Sequence, residues 1–410
     1  MSAVVPFRAL RPQKDLVKAV ASLPYDVLSL EEAKMIAGGN PLSFLHVEKS
    51  EIDLPSASDE NPHDVAVRNL KNMMNDSTLF QEEKDCFYIY RQKMQDREQY
   101  GVVGCVSCAE YESGRIKKHE MTTADKEKDR TDHVGAVNAQ TGPVFLTYKA
   151  LTSVDRIVAQ VAAGDAEYDF VSDDGIMHTV WVIRNEAHIN ALTARFADVE
   201  NLYIADGHHR AAAAAAVARI RRGSNPAHTG DEAYNYMLAV LFPDNQLHIM
   251  EYNRVVKDLH GLSDEAFLSR IGRQFQVSRL DRERLPRGFH DVDMYLSGQW
   301  YRLRPNEGSF DDGDLIGRLD VNILLSNLLQ PILGIQNPRT DQRIAYVGGA
   351  RGTAELEKLV DSGAYAVAFA LFPTSMEQLI AVADAGMIMP PKSTWFEPKL
   401  RSGIFVHLLS

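Results

Sequence analysis

Apolar positions along this chain recur in two rhythms, one near 3.6 residues and one of 2, and the switches between them mark out elements. Residues 3–10 read as a short strand and 13–21 as a helix. In "LPYDVLSLEEAKMIA" a loop runs into a second helix, with Ser29 at the N-cap and Glu32 three residues on, the spacing of a capping box. Asn40-Pro41 stops that helix. "LSFLHVE", 42–48, reads as a strand, 49–64 as a polar loop, and 63–75 as a helix. From about 85 to 150 the rhythm changes to alternation. "DCFYIYRQKM" and "QYGVVGCVSCAEYES" suit a hairpin, with a short strand at 115–120 after a turn at 112–115. A highly charged helical stretch follows, and 143–148 returns to strand.

Beyond it, a helix at 153–163, strands at 167–171 and 176–183 and a helix at 186–197 lead to "NLYIADGHHRAAAAAAVARIRR", 201–222. There an apolar strand gives way abruptly to Asp-Gly-His-His-Arg and then to six alanines. "YNYMLAVLFPD", 234–244, and "LHIMEYNRVV", 247–256, read as a buried strand pair turning at Asp244-Asn245. Helices at 263–273, 320–330, 352–361 and 375–385 and strands at 343–347 and 365–372 complete the pattern, short strands and turns filling the section to about 310. The fold class is α/β (α+β) with mixed sheets. Length suits two or three domains, expected as a core over 1–260 with a β-rich insertion at about 85–150, and a C-terminal α/β domain over 261–410 contributing a loop at 390–400.

Composition narrows the partners. There are 44 Lys and Arg against 56 Asp and Glu, a formal net charge of -12. That weighs against duplex nucleic acid, whose phosphates demand concentrated cations. No apolar run is long enough to span a bilayer, and "MSAVVPFRALRPQ" lacks the basic-then-apolar pattern of a secretory signal. The expected partners are therefore small molecules, with no nucleic acid and no membrane, in the cytoplasm; a homo-oligomer is compatible with all of this. Cys105 and Cys108 form C-x-x-C, but on a strand residues three apart face opposite ways, and no second pair completes a four-sulfur zinc site. Together with Cys86 they read as core cysteines.

The 201–222 junction carries the chemistry. A strand that ends in a glycine turn and opens a helix points unpaired backbone N–H groups at one spot, and the helix dipole adds positive charge there. Gly207 permits the tight backbone. Arg210 offers a planar fork for phosphate oxygens. His208 and His209 can donate hydrogen bonds or shuttle protons. Asp206 can hold a magnesium ion or accept a proton from an attacking hydroxyl. The bland alternative is an N-cap aspartate and two turn histidines ahead of a strong helix former.

Other clusters are candidates to complete the site. Residues 119–133 hold His119, Glu120, Lys126 and Arg130; the last two are four apart and share a helix face, a clamp for a second phosphate. "PPKSTWFEPKL", 390–400, brings Lys392, Ser393, Thr394 and Lys399 into a rigid loop. Near the N-terminus Arg8 is a candidate for substrate binding, and Asp26 for holding a substrate amine or serving as base.

Asp-Gly-His-His-Arg followed by an alanine-rich helix resembles the phosphate-binding motif of the ParB/sulfiredoxin superfamily, which includes partitioning CTPases, ATP-using sulfiredoxins and free-serine kinases. Over nearly its full length the chain resembles the domain of unknown function 1015 family, through "VVPFRALRP", "LPYDVLSLEEA", "NPLSFLHV", "HEMTTADKEKDR", "YIADGHHRAAAA" and "MPPKSTWFEPKLRSG". The superfamily resemblance implies a ParB/sulfiredoxin-like core with insertions, a bound nucleotide, and ATP or ADP as phosphoryl donor with Mg2+. A long insert separates "PFRALRP" from the Asp-Gly-His-His-Arg turn, whereas small superfamily members keep these parts closer. The expected function is a small-molecule phosphotransferase: a nucleotide-dependent kinase of a free hydroxy-amino acid such as serine, the serine being implied by resemblance alone. Its site would use Asp206, His208, His209 and Asp26 for catalysis; Gly207, His208, His209, Arg210, Lys126, Arg130, Lys392 and Ser393 for the nucleotide; His119, Glu120 and Arg8 for the substrate; and Asp206 for the metal. Two alternatives stand beside it. One is a nucleotide-dependent binding switch or NTPase like the partitioning proteins. The other is a metal-dependent hydrolase built on the two histidines, which lacks a third ligand at sensible spacing.

Overall fold

The computed structural model describes residues 4–55, 58–281 and 286–410. Residues 1–3, 56–57 and 282–285, which carry the start of the first expected strand, a piece of the expected 49–64 loop and a piece of the section expected as short strands and turns, lie outside the described residues. The chain divides into two compact units, one made of residues 1–247 and 398–410 and the other of 248–397. Both are mixtures of helix and sheet, as the rhythm of the sequence predicts.

The first unit is built on a nine-stranded mixed sheet. Phe87–Met94 and Arg97–Ser107 form its central hairpin, antiparallel from Tyr88 opposite Val103 to Met94 opposite Arg97. On one side of the hairpin lie Met177–Ile183 and then Tyr168–Val171. On the other lie Tyr236–Pro243, Val144–Tyr148, Leu202–Asp206 and Ile116–Lys117 in that order. Two pairings are parallel, Tyr236–Pro243 with Val144–Tyr148 and Leu202–Asp206 with Ile116–Lys117, so the sheet is mixed. Its strands supply the main core: Phe87, Ile89, Val102, Leu146, Trp181, Ile204 and Leu241 are all buried there.

The alanine-rich helix His208–Ser224 lies against this core with Ala211, Ala214, Ala215 and Ala218 inward. Alanine has no side chain to hold the helix off, so the helix that starts at the signature turn sits close to the strand that ends there. The charged helix Ala124–Val137 packs beside it, joined through Val134 and Val217, with Tyr234 and Leu409 in the same cluster. The chain's last residues belong to this unit. Ser402 bridges to Ser22, Val406 to Leu10, and His407–Leu408 pairs with Ala139–Gln140.

The second unit is a six-stranded sheet with every pairing antiparallel, in the order Phe275–Leu280, Gln299–Pro305, Val292–Leu296, Val367–Leu371, Tyr252–Val256, Ile344–Gly348. Its core gathers Val255, Trp300, Leu356 and Ala368. Among the described residues no helix is long and apolar enough to cross a membrane.

Several local expectations hold. The capping box at Ser29 is formed in both directions, Glu32 N to Ser29 Oγ at 3.1 Å and Ser29 N to Glu32 Oε2 at 2.8 Å. Three do not. "LSFLHVE" ends in a helical turn, Leu45–Glu48, not a strand; Phe44, Leu45, Val47 and Glu48 are buried together, which a single turn achieves and a run this short does not distinguish from a strand by period. The expected strand pair over 234–256 separates. Tyr236–Pro243 sits between two strands of the first sheet, while Tyr252–Val256 belongs to the second. An apolar run of that kind satisfies either partner, so only tertiary placement chooses. Cys108 lies off the strand and opens the helix Cys108–Glu112; all three cysteines are buried and unbridged.

Candidate functional site

The strand Leu202–Asp206 runs buried into the signature turn, and its register against Val144–Tyr148 shifts between Ile204 and Asp206. A bulge of this kind re-aims the side chain that follows it, here Asp206. Gly207 then takes φ 90° and ψ 30°, the left-handed region that favours glycine. A Cβ on it would stand 3.4 Å from the Arg210 guanidinium carbon. The helix begins at His208 with no side chain capping it and no acidic residue in its first turn. Its first intrahelical bond runs from Ala211 N to Gly207 O, so the amides of His208, His209 and Arg210 precede the ladder. The N-terminal charge of the dipole is therefore unopposed by the helix itself.

Asp206 is held on two sides. Its Oδ1 accepts from Gly207 N at 2.9 Å, and its Oδ2 from Lys399 Nζ at 3.2 Å. Lys399, whose side chain is 9% exposed, reaches it from the C-terminal segment. That segment is fixed in turn by Gln92 Nε2 donating to Lys399 O at 2.9 Å and by Gln99 donating to Gln92. Burial by itself would raise the Asp206 carboxyl, but Lys399 and Arg210 outweigh it and hold it well below the usual carboxylate range. It is a charged acceptor and orienting group at neutral pH, and a poor proton acceptor.

Arg210 donates through Nη1 to Pro143 O. Its Nε is shut from solvent and meets no hydrogen-bond acceptor among the described residues. Burial works against its charge, yet Asp26 and Asp206 raise it further. Asp26, exposed in the short turn Tyr25–Val27, is the foremost of these acidic influences.

The histidines split by environment. His208 is buried, with Nε2 unpartnered, and meets the His119 ring edge-to-face at 4.6 Å between centroids. Burial pushes both down, His119 to about 4 and His208 well below the usual imidazole value, so both are neutral at physiological pH. His209 is half-buried, and its Nε2 accepts from Thr123 N at 3.2 Å, tying the turn to the entry of the charged helix. Glu120 is half-buried beside His119 in sequence.

Next to Arg210 lies a cavity also lined by Tyr25, Glu48, Arg130, Thr141 and Gly142. Arg130 is buried there, its guanidinium 4.0 Å from the Tyr25 ring centroid and bonded to Asp129 Oδ2 at 2.7 Å. Lys126, one turn earlier, is exposed. Arg8 is exposed and borders a different cavity, with Asp85 and His407. Lys392 and Ser393 belong to the second unit and are bound within it. Lys392 O accepts from Arg254, and Ser393 Oγ donates to Pro390 O. Lys399 sits in the 390–400 stretch, but nothing local in the sequence ties it to Asp206. Glu48 gives no signal of its own in the sequence, since it closes an apolar segment.

A magnesium ion would find one carboxylate at the turn, Asp206, with both oxygens engaged. Among the described residues no group of three His, Cys, Asp or Glu side chains could hold a metal. The residues present fit a phosphate better than a metal: helix amides, Arg210 and Lys399 converge around a single acidic side chain.

These features define an α/β protein with an uncapped strand–turn–helix junction flanked by Arg210 and Lys399. The chain belongs to the family described as "Protein of unknown function (DUF1015)", whose model matches residues 4–322. Among solved structures it is similar to a conserved hypothetical protein from Pyrococcus furiosus, at 14% identity over 75% of this chain and 95% of that one, with a TM-score of 0.36. It is also similar to a free serine kinase in complex with AMP, at 12% identity over 74% and 91% with a TM-score of 0.37. A third is SbnI with a C-terminal truncation from Staphylococcus aureus, at 12% identity over 75% and 87% with a TM-score of 0.37. No curated protein matches the chain.

Proposed function

We propose that this chain is a nucleotide-dependent phosphotransferase acting on a small hydroxyl compound, with a free hydroxy-amino acid such as serine as the expected acceptor. The observation that carries the reading is the signature turn itself. An uncapped helix start, the Arg210 guanidinium and the buried Lys399 ammonium converge on one ionised carboxylate. Phosphoryl transfer asks chiefly for positioning and charge stabilisation, and this set supplies both.

In this reading the amides of His208, His209 and Arg210 donate to phosphate oxygens of the nucleotide, and the Arg210 guanidinium, anchored on Pro143 O, adds its charge beside them. The acceptor hydroxyl oxygen attacks the terminal phosphorus. Its new O–P bond forms as the bond to the bridging oxygen of the nucleotide breaks, and the hydroxyl proton passes to Asp26. The leaving nucleotide keeps the electron pair, and Lys399 and Arg210 offset its charge. Asp206 fixes Lys399 and the turn rather than taking the proton, because its carboxyl is held so far down. His119 and His208 serve as neutral hydrogen-bonding groups.

The test is phosphorus NMR of the protein with ATP, then ADP, and a pool of hydroxyl compounds including serine, with and without magnesium. A new phosphomonoester resonance that requires one pool member supports the reading and names the acceptor. Free phosphate that forms regardless of the pool, or an unchanged spectrum, sinks it. Asp26→Asn and Arg210→Ala are expected to lower the rate of any transfer by at least tenfold.

A further inference from the structure

The cavity beside Arg210 contains a carboxylate that the proposed transfer does not use. Glu48 is 3% exposed, and its Oε1 has no hydrogen-bond donor among the described residues. The other oxygen, Oε2, lies 3.9 Å from Arg130 Nη1, at the outer limit of an ion pair. Arg130 gives its short bonds to Asp129 instead, at 2.7 and 2.8 Å, and Nη1 donates to the Glu48 carbonyl at 3.3 Å. A carboxylate this deep with an idle oxygen is costly unless it meets a donor or a positive charge.

The opposite wall leaves room for one. Gly142 has no Cβ, and a Cβ there would stand 3.0 Å from Glu48 Oε1, 2.9 Å from Ser402 Oγ and 3.6 Å from Arg210 Nη1. The glycine thus keeps a small polar gap open between an acidic group and the phosphate-side arginine. The gap has about 20 Å³ of space for water, enough for one small polar group and too little for a ring or a carboxylated side chain.

We propose that Glu48 is the group that reads the amine of the acceptor: its Oε1 takes a hydrogen bond from a primary ammonium, which seats beside Gly142 and leaves the neighbouring hydroxyl turned toward Arg210. The proposal rests on the phosphotransferase reading for the hydroxyl, but its ammonium site stands on the cavity. It makes the acceptor an amino alcohol or hydroxy-amino acid and excludes plain polyols and hydroxy acids.

Calorimetric titration tests it with paired probes, serine against glycerate and ethanolamine against ethylene glycol. A separate titration with ATP follows the phosphate site. Wild-type protein is expected to bind each ammonium compound at least tenfold more tightly than its counterpart. Glu48→Gln keeps the shape and loses the charge, and should erase that preference while ATP affinity stays within threefold. Gly142→Ala fills the gap from the other wall and should erase it too, which decides the matter if Glu48→Gln does not fold. A preference that survives both substitutions overturns the proposal, as does a wild-type protein that binds neither ammonium compound. If serine is preferred but ATP does not bind, the phosphotransferase reading fails and the Glu48 site remains.

Discussion

Replacing Lys399 by methionine isolates the contact that closes the signature turn. At 3.2 Å, an ion pair is worth about 5 kcal/mol at an effective dielectric of about 20. Not all of that is lost. The Asp206 side chain is 29% exposed, Arg210 remains nearby, and methionine avoids the desolvation of a lysine. Roughly 2–3 kcal/mol of destabilisation at neutral pH is the expected net. For a unit of this size that lowers a melting transition by about 4–12 °C at roughly 2–4 °C per kcal/mol. The pH dependence is the sharper signature. Asp206 is held below its unfolded value, so its stabilisation is complete above that value, about 3.9, and drains away as pH falls toward the depressed folded one. Without Lys399, burial pulls the folded value back up. The gap between wild type and Lys399→Met should therefore be widest at pH 6–8 and shrink below about pH 4. Scanning calorimetry from pH 3 to 8 reads both. An equal gap at pH 7 and pH 3, or no gap, would refute the argument that Lys399 serves Asp206.

Further outcomes are expected at the same site. Gly207→Ala must place a Cβ residue at φ 90° beside the Arg210 guanidinium, costing about 1–2 kcal/mol in denaturant unfolding and weakening ATP binding at least tenfold. His119 is pushed down to about 4 by burial. Its unfolded form takes up a proton near pH 6.5, so stability is full above that and falls by about 3 kcal/mol between pH 6.5 and 4. His119→Asn should flatten that limb in urea titrations, and a wild-type imidazole resonance that titrates near 6.5 would contradict it. Burial raises all three thiols, Cys108 to about 12. None should react with Ellman's reagent at pH 8 before the protein unfolds, and a rapid stoichiometric burst would show that one of them is accessible.

Much of this protein is legible without coordinates because it is local. The capping box at Ser29, the central hairpin, the charged helix over 124–137 and the strand–glycine–helix junction at 202–224 follow from rhythm, turn chemistry and helix signals. These features depend on residues a few positions apart, so neighbours in sequence carry the information. Misreadings fall where the local signal is short or symmetrical. The 42–48 segment is too brief to show its period, and the apolar runs after residue 234 suit a partner in either sheet.

What the tertiary structure alone decides is which distant charges meet. Lys399 faces Asp206, 193 residues away, because the chain's last segment returns to the first unit and is pinned by bridges to Ser22 and Leu10. Glu48 looks across at Gly142 only because a helical turn, not a strand, buries it there. Coulomb attraction and desolvation act through space and are blind to chain order. The sequence therefore determines that a strand gives way to a helix through Gly207, while the fold determines which lysine meets Asp206 there and which carboxylate lies beside Gly142.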